Sequence, residues 1–221
     1  MKRIVIDKDS KGTIAVYWAV SLVLAALAVL FIHPLWLLIP ILVFLAVFAF
    51  FVLWFHRVPD REIPEGDETL VTSVADGKIV VVERAYEGEY FKEDRIQVSI
   101  YMNFFDVHTN FWPMTGEVSY YKYHPGKYLL AFLPKSSEKN EHSSTTIRNS
   151  HGEVFFKQIA GTFARRIVCY SKEGMKVDRG RQCGIIKFGS RIDIFLPLDA
   201  EILVKEDELT VAGVTKIARL K

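Results

Sequence analysis

The sequence predicts a mainly β soluble domain, folded as a barrel or a sandwich, that follows an N-terminal α-helical membrane hairpin. Residues 13–55 contain no Asp, Glu, Lys or Arg, and this stretch is about twice the roughly 20 residues that one membrane-spanning helix needs. After residue 55, apolar residues alternate with polar ones in short runs bounded by turn-forming residues, which is typical of antiparallel strands. Many short strands without long helical patterns favour an all-β architecture.

The overall charge and the cysteine content exclude some classes of function. The chain has 221 residues, with 28 Lys and Arg against 26 Asp and Glu, so its charge gives no case for nucleic-acid binding. The two cysteines, Cys169 and Cys183, lack metal-type spacing and are expected to be reduced thiols. We therefore expect no nucleic-acid partner, and the sequence patterns indicate no metal site.

The apolar stretch divides at His33-Pro34, because proline interrupts a helix. Two helices are predicted, at about residues 13–32 and 35–55, within a membrane anchor that covers residues 13–57. The anchor is too long for the apolar part of a signal peptide, and no small-residue cleavage site follows it.

Basic residues flank both ends of the anchor, and such residues tend to remain on the cytoplasmic side. Those before the anchor lie in a predicted cytoplasmic tail of residues 1–12, and the full set is Lys2, Arg3, Lys8, Lys11, Arg57 and Arg61. The sequence thus predicts a hairpin in the inner cell membrane, either spanning or re-entrant, with the following domain on the cytoplasmic side.

The soluble part begins with a linker at residues 58–69, and residues 70–221 form the predicted β domain. Its strand patterns include "RIQVSIYM", "EVFFKQIAG", "CGIIKFG" and "RIDIFLP". The polar segment at residues 134–144 is expected to be a surface loop. His56 and the histidines at 124, 142 and 151, in linker or turn contexts, are expected on the surface.

A few polar residues at strand breaks are candidates for chemistry. Asp76 in "ADGKIV" fits a simple hairpin turn, since Asp-Gly is a common turn pair, or a functional carboxylate. His108 in "NFFDVHTNFWP" fits either a core histidine or a general acid or base. Arg165, Arg166 and Lys187 are either solvated charges or ligands for a phosphate or carboxylate.

The pair Gly189-Ser190 in "IIKFGSRIDIFLP" has two interpretations as well. It can be a turn between two strands. Alternatively, the Ser190 hydroxyl can attack the carbonyl carbon of Gly189, which glycine leaves uncrowded. The resulting ester would eliminate to dehydroalanine, and hydrolysis would convert dehydroalanine to a pyruvoyl group at a new N-terminus.

Several blocks of the sequence resemble, in the same order, those of the short-form phosphatidylserine decarboxylase proenzymes. The segment from residue 165 to residue 197, "RRIVCYSKEGMKVDRGRQCGIIKFGSRIDIFLP", is similar to the carboxy-terminal core of that family. The other blocks that carry the resemblance are "VADGKI", "DVHTNFWPMTGEV", "HPGKY", "NEHS" and "QIAGTFARRIV". The apolar hairpin and the junction "FHRVPDREIP" also resemble the front end of the family.

The resemblance implies self-cleavage between Gly189 and Ser190. A β chain of residues 1–189 and an α chain of residues 190–221 would remain associated, with a covalent pyruvoyl cofactor derived from Ser190. The substrate amine would form a Schiff base with that pyruvoyl, whose carbonyl withdraws electrons while CO₂ leaves. The implied reaction converts phosphatidylserine to phosphatidylethanolamine at the membrane.

The resemblance also assigns roles residue by residue. Ser190 matches the pyruvoyl-forming serine, and Asp76 matches the acidic member of an Asp-His-Ser triad for self-cleavage. His108 matches the first histidine of a His-x-x-His motif, which is linked to decarboxylation, but Phe111 occupies the position of the second histidine, the triad base. His108 can therefore serve both steps, or backbone strain can contribute more to cleavage. Independently of the resemblance, the charge of Arg165, Arg166 and Lys187 makes them the candidates for binding the lipid phosphate.

Other interpretations of the sequence stay open. The substrate can be a different seryl phospholipid, such as an ether-linked, archaetidylserine-like lipid, because the head group is the same. The chain can also be a membrane-anchored, non-catalytic β domain, such as a carrier domain with Lys78 in "DGK" as its attachment point. The sequence also leaves open whether the predicted decarboxylase forms a homo-oligomer.

Overall fold

A computed structural model provides the structure, and it describes residues 4–127, 140–161, 167–186 and 190–221. The chain divides into an N-terminal unit, residues 1–60, and a β unit, residues 61–221.

The N-terminal unit contains two long apolar helices, α1 (Lys11–Phe31) and α2 (Leu35–Phe55). The break at His33-Pro34 lies where the sequence predicts it, and α2 has the predicted bounds. The helices pack on each other, with Trp18 Nε1 donating to the Ala49 carbonyl oxygen over 3.1 Å. Both are long and apolar enough to cross a membrane. Two short strands, β1 (Ile4–Ile6) and β2 (Arg57–Pro59), pair antiparallel at the ends of this unit.

The part of the β unit that the structure describes contains fourteen strands: β3 (Leu70–Thr72), β4 (Gly77–Glu87), β5 (Glu93–Met102), β6 (Thr109–Phe111), β7 (Gly116–His124), β8 (His142–Asn149), β9 (Gly152–Ala160), β10 (Ile167–Cys169), β11 (Lys176–Val177), β12 (Gln182–Ile186), β13 (Ser190–Leu196), β14 (Glu201–Ile202), β15 (Leu209–Thr210) and β16 (Lys216–Arg219). Eight strands form a curled half-barrel sheet in the order β11-β7-β8-β9-β13-β5-β4-β15. Two smaller sheets have the orders β10-β12-β6 and β14-β16-β3. The prediction of a mainly β, barrel-like domain that follows two N-terminal helices along the chain is confirmed.

Strand β13 lies in the centre of the large sheet, where it pairs antiparallel with β5 on one side and β9 on the other. All its residues are buried. Side chains alternate between the two faces of a strand, so Ser190, Ile192 and Ile194 point into the main core. Arg191 and Asp193 point to the opposite face of the large sheet.

The main core lies between one face of the large sheet and the two smaller sheets. It includes Ile100 and Ile194 from the large sheet, Ile186 from β12 and Ile217 from β16. Cys183 is also part of this core, and burial raises the pKa of its thiol well above the usual range. The thiol is therefore held protonated, which makes it a poor nucleophile.

Two local expectations were wrong. Residues 142–144 belong to the buried strand β8 rather than to a surface loop, and His142 is buried, as is His56 in the N-terminal unit. The polar side chains of β8 are accommodated because they bond to one another and to neighbouring strands, for example Ser143 Oγ to Gln158 Oε1 over 2.8 Å. Such partners are distant in sequence, so the local polarity indicated a loop.

Candidate active site

Ser190 is the first residue of β13 and is completely buried. Its Cα partners are Met102, the last residue of β5, and Ala160, the last residue of β9. The Ser190 hydroxyl donates a hydrogen bond to Met102 Sδ over 3.0 Å. The serine is therefore fixed from both sides at one end of the sheet and is shielded from water.

His108 is also completely buried. Its Nδ1 lies 3.0 Å from the Asp106 carbonyl oxygen. Because a carbonyl oxygen can only accept, Nδ1 carries the hydrogen, and Nε2 is the basic nitrogen of the neutral ring. This is the tautomer that a general base on the Nε2 side requires.

The backbone brings His108 close to the segment that leads into Ser190. The His108 carbonyl oxygen accepts a hydrogen bond from the Ile186 amide over 3.2 Å, and Ile186 is the last residue of β12. Four residue steps, at most about 14 Å of extended chain, separate Ile186 from Ser190. The two predicted catalytic residues thus lie at the same end of the β unit.

Asp76 is held by an arginine. Its Oδ1 and Oδ2 accept from the two terminal nitrogens of Arg61 over 2.6 and 2.7 Å, and Oδ1 also accepts from the Ala212 amide over 2.8 Å. The side chains of Arg61 and Asp76 are only 9% and 17% exposed. Among the described residues, no hydrogen bond joins the Asp76 carboxylate to His108.

Phe111, which occupies the position of the expected second histidine, is part of the same arrangement. The Arg61 guanidinium lies over the Phe111 ring, 5.2 Å from its centroid. The Phe111 amide donates to the Val74 carbonyl oxygen over 2.9 Å, which ties β6 to the turn that carries Asp76. Because β6 begins directly after His108, Asp76 and His108 are connected through this backbone contact.

A chain of buried polar side chains, which the sequence analysis missed, leads to the neighbour of Ser190. Ser143 Oγ donates to Gln158 Oε1, and Gln158 Nε2 donates to Asn110 Oδ1, each over 2.8 Å. Asn110 Nδ2 lies 3.9 Å from Met102 Sδ, the same sulfur that accepts from Ser190. The only sequence signal was Gln158, a polar residue at a core-facing position of "EVFFKQIAG".

The residue after Ser190 is anchored on the opposite face of the sheet. Arg191 Nε lies 2.6 Å from Asp193 Oδ1, and Arg191 Nη2 donates to Ser99 Oγ over 2.8 Å. The Arg191 and Asp193 side chains are 5% and 1% exposed. Because the buried Arg191 guanidinium contacts both Asp193 and Ser99, it restricts movement of the end of β13 that carries Ser190.

Four predicted site residues lie outside the described part of the chain. They are Gly189 at the predicted cleavage site and the three basic residues predicted to bind phosphate, Arg165, Arg166 and Lys187. Their roles stay predictions.

The fold is a mainly β unit that follows two helices long and apolar enough to cross a membrane, and it contains a buried serine and a buried histidine. Comparison with known families specifies the kind of protein: the family model described as phosphatidylserine decarboxylase matches residues 48–218. The chain belongs to the phosphatidylserine decarboxylase family.

Proteins named phosphatidylserine decarboxylase proenzyme are similar over most of the chain. The one from Amoebophilus asiaticus (strain 5a2) is 52% identical over 170 residues, which cover 76% of this chain and 75% of that protein. The one from Cytophaga hutchinsonii is 47% identical over 183 residues, 82% of this chain and 80% of that protein. The one from Parabacteroides distasonis is 44% identical over 170 residues, 76% and 77% of the two chains.

Proposed function

We propose that this chain cleaves itself between Gly189 and Ser190 and then decarboxylates phosphatidylserine to phosphatidylethanolamine and CO₂. The observation that carries the proposal is the placement of Ser190. It is buried at the start of a central strand, between the ends of two neighbouring strands. Family membership supports the reaction type.

The self-cleavage step uses atoms that Gly189 and Ser190 supply. Ser190 Oγ attacks the Gly189 carbonyl carbon, and the Gly189–Ser190 amide bond becomes an ester. Removal of the Ser190 α-proton then breaks the Cβ–O bond, which releases the Gly189 carboxylate and leaves dehydroalanine. Water replaces the nitrogen, ammonia leaves, and residue 190 becomes a pyruvoyl group at the N-terminus of the α chain.

His108 is the proposed base for the α-proton, since Nε2 is its basic nitrogen and its strand contacts the segment before Ser190. Asp76 is proposed to act as a positioning residue. The Asp76–Arg61 pair fixes the turn that is hydrogen-bonded to β6, and β6 in turn fixes His108.

The surroundings of Ser190 fit a pyruvoyl group. They are buried and formed by Met102, Ala160 and a hydrogen-bonded polar chain, so a small planar group can replace serine without exposure to water. The pyruvoyl supplies a carbonyl that binds the substrate amine and accepts electrons as CO₂ leaves. His108 would hold the proton that is returned to the substrate Cα.

Strand pairing supports continued association of the two chains after cleavage. Strand β13 belongs to the α chain, and it pairs with β5 over residues 190–196 and with β9 over residues 190–195. The α chain also supplies β14 and β16 to the sheet that contains β3. These contacts would hold residues 190–221 in the fold.

The two apolar helices support a membrane location. Their length and composition suit a bilayer, and the basic residues at both ends of the anchor support an inner-membrane hairpin with the β unit in the cytoplasm. A domain tethered in this way can reach a lipid head group at the inner leaflet. Arg165, Arg166 or Lys187 would bind the lipid phosphate.

A lipid assay tests the reaction. Phosphatidylserine vesicles with a labelled serine carboxylate should release labelled CO₂ and yield phosphatidylethanolamine with the wild-type protein, but not with Ser190→Ala. Ser150→Ala, at an exposed turn, is the matched control and should retain activity. The same assay with an ether-linked seryl lipid shows whether the enzyme acts on lipids with acyl-linked or ether-linked hydrocarbon chains. Wild-type protein that is cleaved but releases no CO₂ from either lipid would refute the proposed reaction.

A further inference from the structure

Three side chains with metal-binding atoms meet on the face of the large sheet opposite Ser190. They are Glu89 from the turn between β4 and β5, His124 at the end of β7 and His142 at the start of β8. Their ligand atoms all lie within 4.8 Å of one another. His124 Nε2 is 2.6 Å from Glu89 Oε1, and the two imidazole rings stack with centroids 4.3 Å apart.

The sheet register explains why these residues meet. His124 and His142 are Cα partners in the antiparallel pair β7–β8. Ser143 points into the core, where it bonds Gln158, so the side chain of His142 lies on the other face. The three residues are far apart in sequence, and local spacing could not reveal them.

A backbone hydrogen bond at Nδ1 of His142 leaves Nε2 as the nitrogen that can bind a metal. His142 Nδ1 lies 2.8 Å from the Asn140 carbonyl oxygen, so Nδ1 carries the hydrogen and Nε2 has the lone pair. Metal-binding histidines commonly donate their other nitrogen to a carbonyl group in this way.

Glu89 is oriented by groups that contact its other oxygen. Lys157 Nζ lies 3.0 Å from Oε2, and Ser144 Oγ donates to Oε2 over 2.9 Å. Oε1, which faces His124, also accepts from Tyr120. Lys157 and Ser144 therefore fix one carboxylate oxygen, while the other faces the imidazole of His124.

We propose that Glu89, His124 and His142 bind a divalent transition-metal ion of the zinc type. Two imidazole nitrogens and one carboxylate oxygen are a donor set that Zn²⁺ uses, with a fourth position left for water. Tetrahedral zinc would place its ligand atoms roughly 3.3 Å apart, so the 2.6 Å between His124 Nε2 and Glu89 Oε1 would have to widen through small side-chain rotations.

The ion would link three parts of the fold on the sheet face opposite Ser190. They are the β4–β5 turn, β7 and β8. His142 pairs with Ile159 on β9, and Ile159 pairs with Arg191, the residue after Ser190. Metal binding would therefore stabilise the strands next to Ser190, from a site that does not include the serine itself.

Direct metal binding tests the proposal without reference to activity. Tag-free, full-length protein in detergent is stripped with a chelator and titrated with Co²⁺, followed by its visible absorption, and with Zn²⁺ by calorimetry. We expect one equivalent to bind. His142→Ala and His124→Ala should each weaken binding at least about tenfold.

Two controls separate the site from general effects. His151→Ala, at an exposed turn, should bind as the wild type does. Glu89→Gln keeps the shape of the side chain but removes the charged ligand, and it should weaken binding while the protein stays folded. No stoichiometric binding by the wild type would mean that the cluster is only an ion-pair network, and equal binding by all variants would place the ion elsewhere. Each result would overturn the proposal.

Discussion

At the scale of single residues, the surroundings of Ser190 and His108 carry most of the proposed chemistry. Ser190 donates to a methionine sulfur rather than to a base, and His108 reaches the same region through its backbone contact with Ile186. A sulfur acceptor holds the hydroxyl in place only weakly. The hydroxyl is therefore able to leave the sulfur for the proposed attack on the preceding carbonyl carbon, which comes before removal of the α-proton.

His108→Ala should slow self-cleavage by about 10²–10⁴-fold, the usual contribution of a general base. The rate is measured as conversion of full-length chain to fragments on a gel over time. His151→Ala serves as the control and should process at the wild-type rate. If His108→Ala is processed as fast as the wild type, His108 is not the base.

The Asp76–Arg61 pair predicts non-additive effects on processing. Asp76→Ala and Arg61→Met should each slow self-cleavage, and the double variant should be no slower than the slower single variant, because the residues act as one unit. The melting temperature is recorded alongside, so that loss of folding is recognised. Arg84→Met, from an exposed pair with Asp94, should change neither quantity. Rate losses that simply add would show that Asp76 acts independently of Arg61.

At the scale of elements, β13 is stabilised by groups on both of its faces. Its core face is apolar beyond Ser190, and its opposite face carries the buried pair Arg191–Asp193. Because the pair comes directly after the proposed cleavage site, it would belong to the new chain end after processing. The strand should therefore stay in register when the preceding peptide bond is cut.

Removal of one member of this pair should be costly. Arg191→Met takes away the guanidinium that Asp193 binds, and we expect a loss of roughly 3–5 kcal/mol in the free energy of unfolding. Denaturant unfolding is measured in a Ser190→Ala background, so that all variants are single chains. Arg84→Met in the same background should cost less than about 1 kcal/mol, since its pair is exposed. Equal losses for the two variants would contradict the anchoring role of Arg191.

Some elements were predictable from sequence and others were not, for physical reasons. The bounds of α2 and the alternation of β13 follow from local hydrophobic periodicity. The burial of His142 and the chain from Ser143 to Asn110 depend on partners that are distant in sequence. Local polarity cannot distinguish a satisfied buried group from an exposed one.

The same limit applies to the site. Ser190 and His108 were identified by resemblance to a family, and the structure places them at one end of the β unit. The contact of Asp76 with Arg61 was not predicted, because the family motif suggested a histidine as its partner. Phe111 stands where the family motif has the second histidine, and the Arg61 guanidinium lies over its ring. Arg61, rather than a histidine, is thus the side chain that binds Asp76.

At the scale of the whole molecule, the predicted α chain is an integral part of the β unit. Residues 190–221 supply the central strand of the large sheet, an edge strand beside β4 and two strands of a smaller sheet. Cleavage before Ser190 would therefore change the covalent structure without removing a separable piece. A proenzyme that cuts itself at the start of a central strand can keep its fold and gain a reactive chain end.

Whether Ser190 becomes the cofactor is tested first by an intact-mass spectrum of the purified wild-type protein beside Ser190→Ala. We expect two wild-type fragments that meet between Gly189 and Ser190, with the smaller one lighter by the mass of one ammonia than a peptide that begins with serine. Ser190→Ala should give one full-length mass. A single uncleaved mass for catalytically active wild-type protein, or cleavage in Ser190→Ala, would contradict the claim that Ser190 becomes the cofactor.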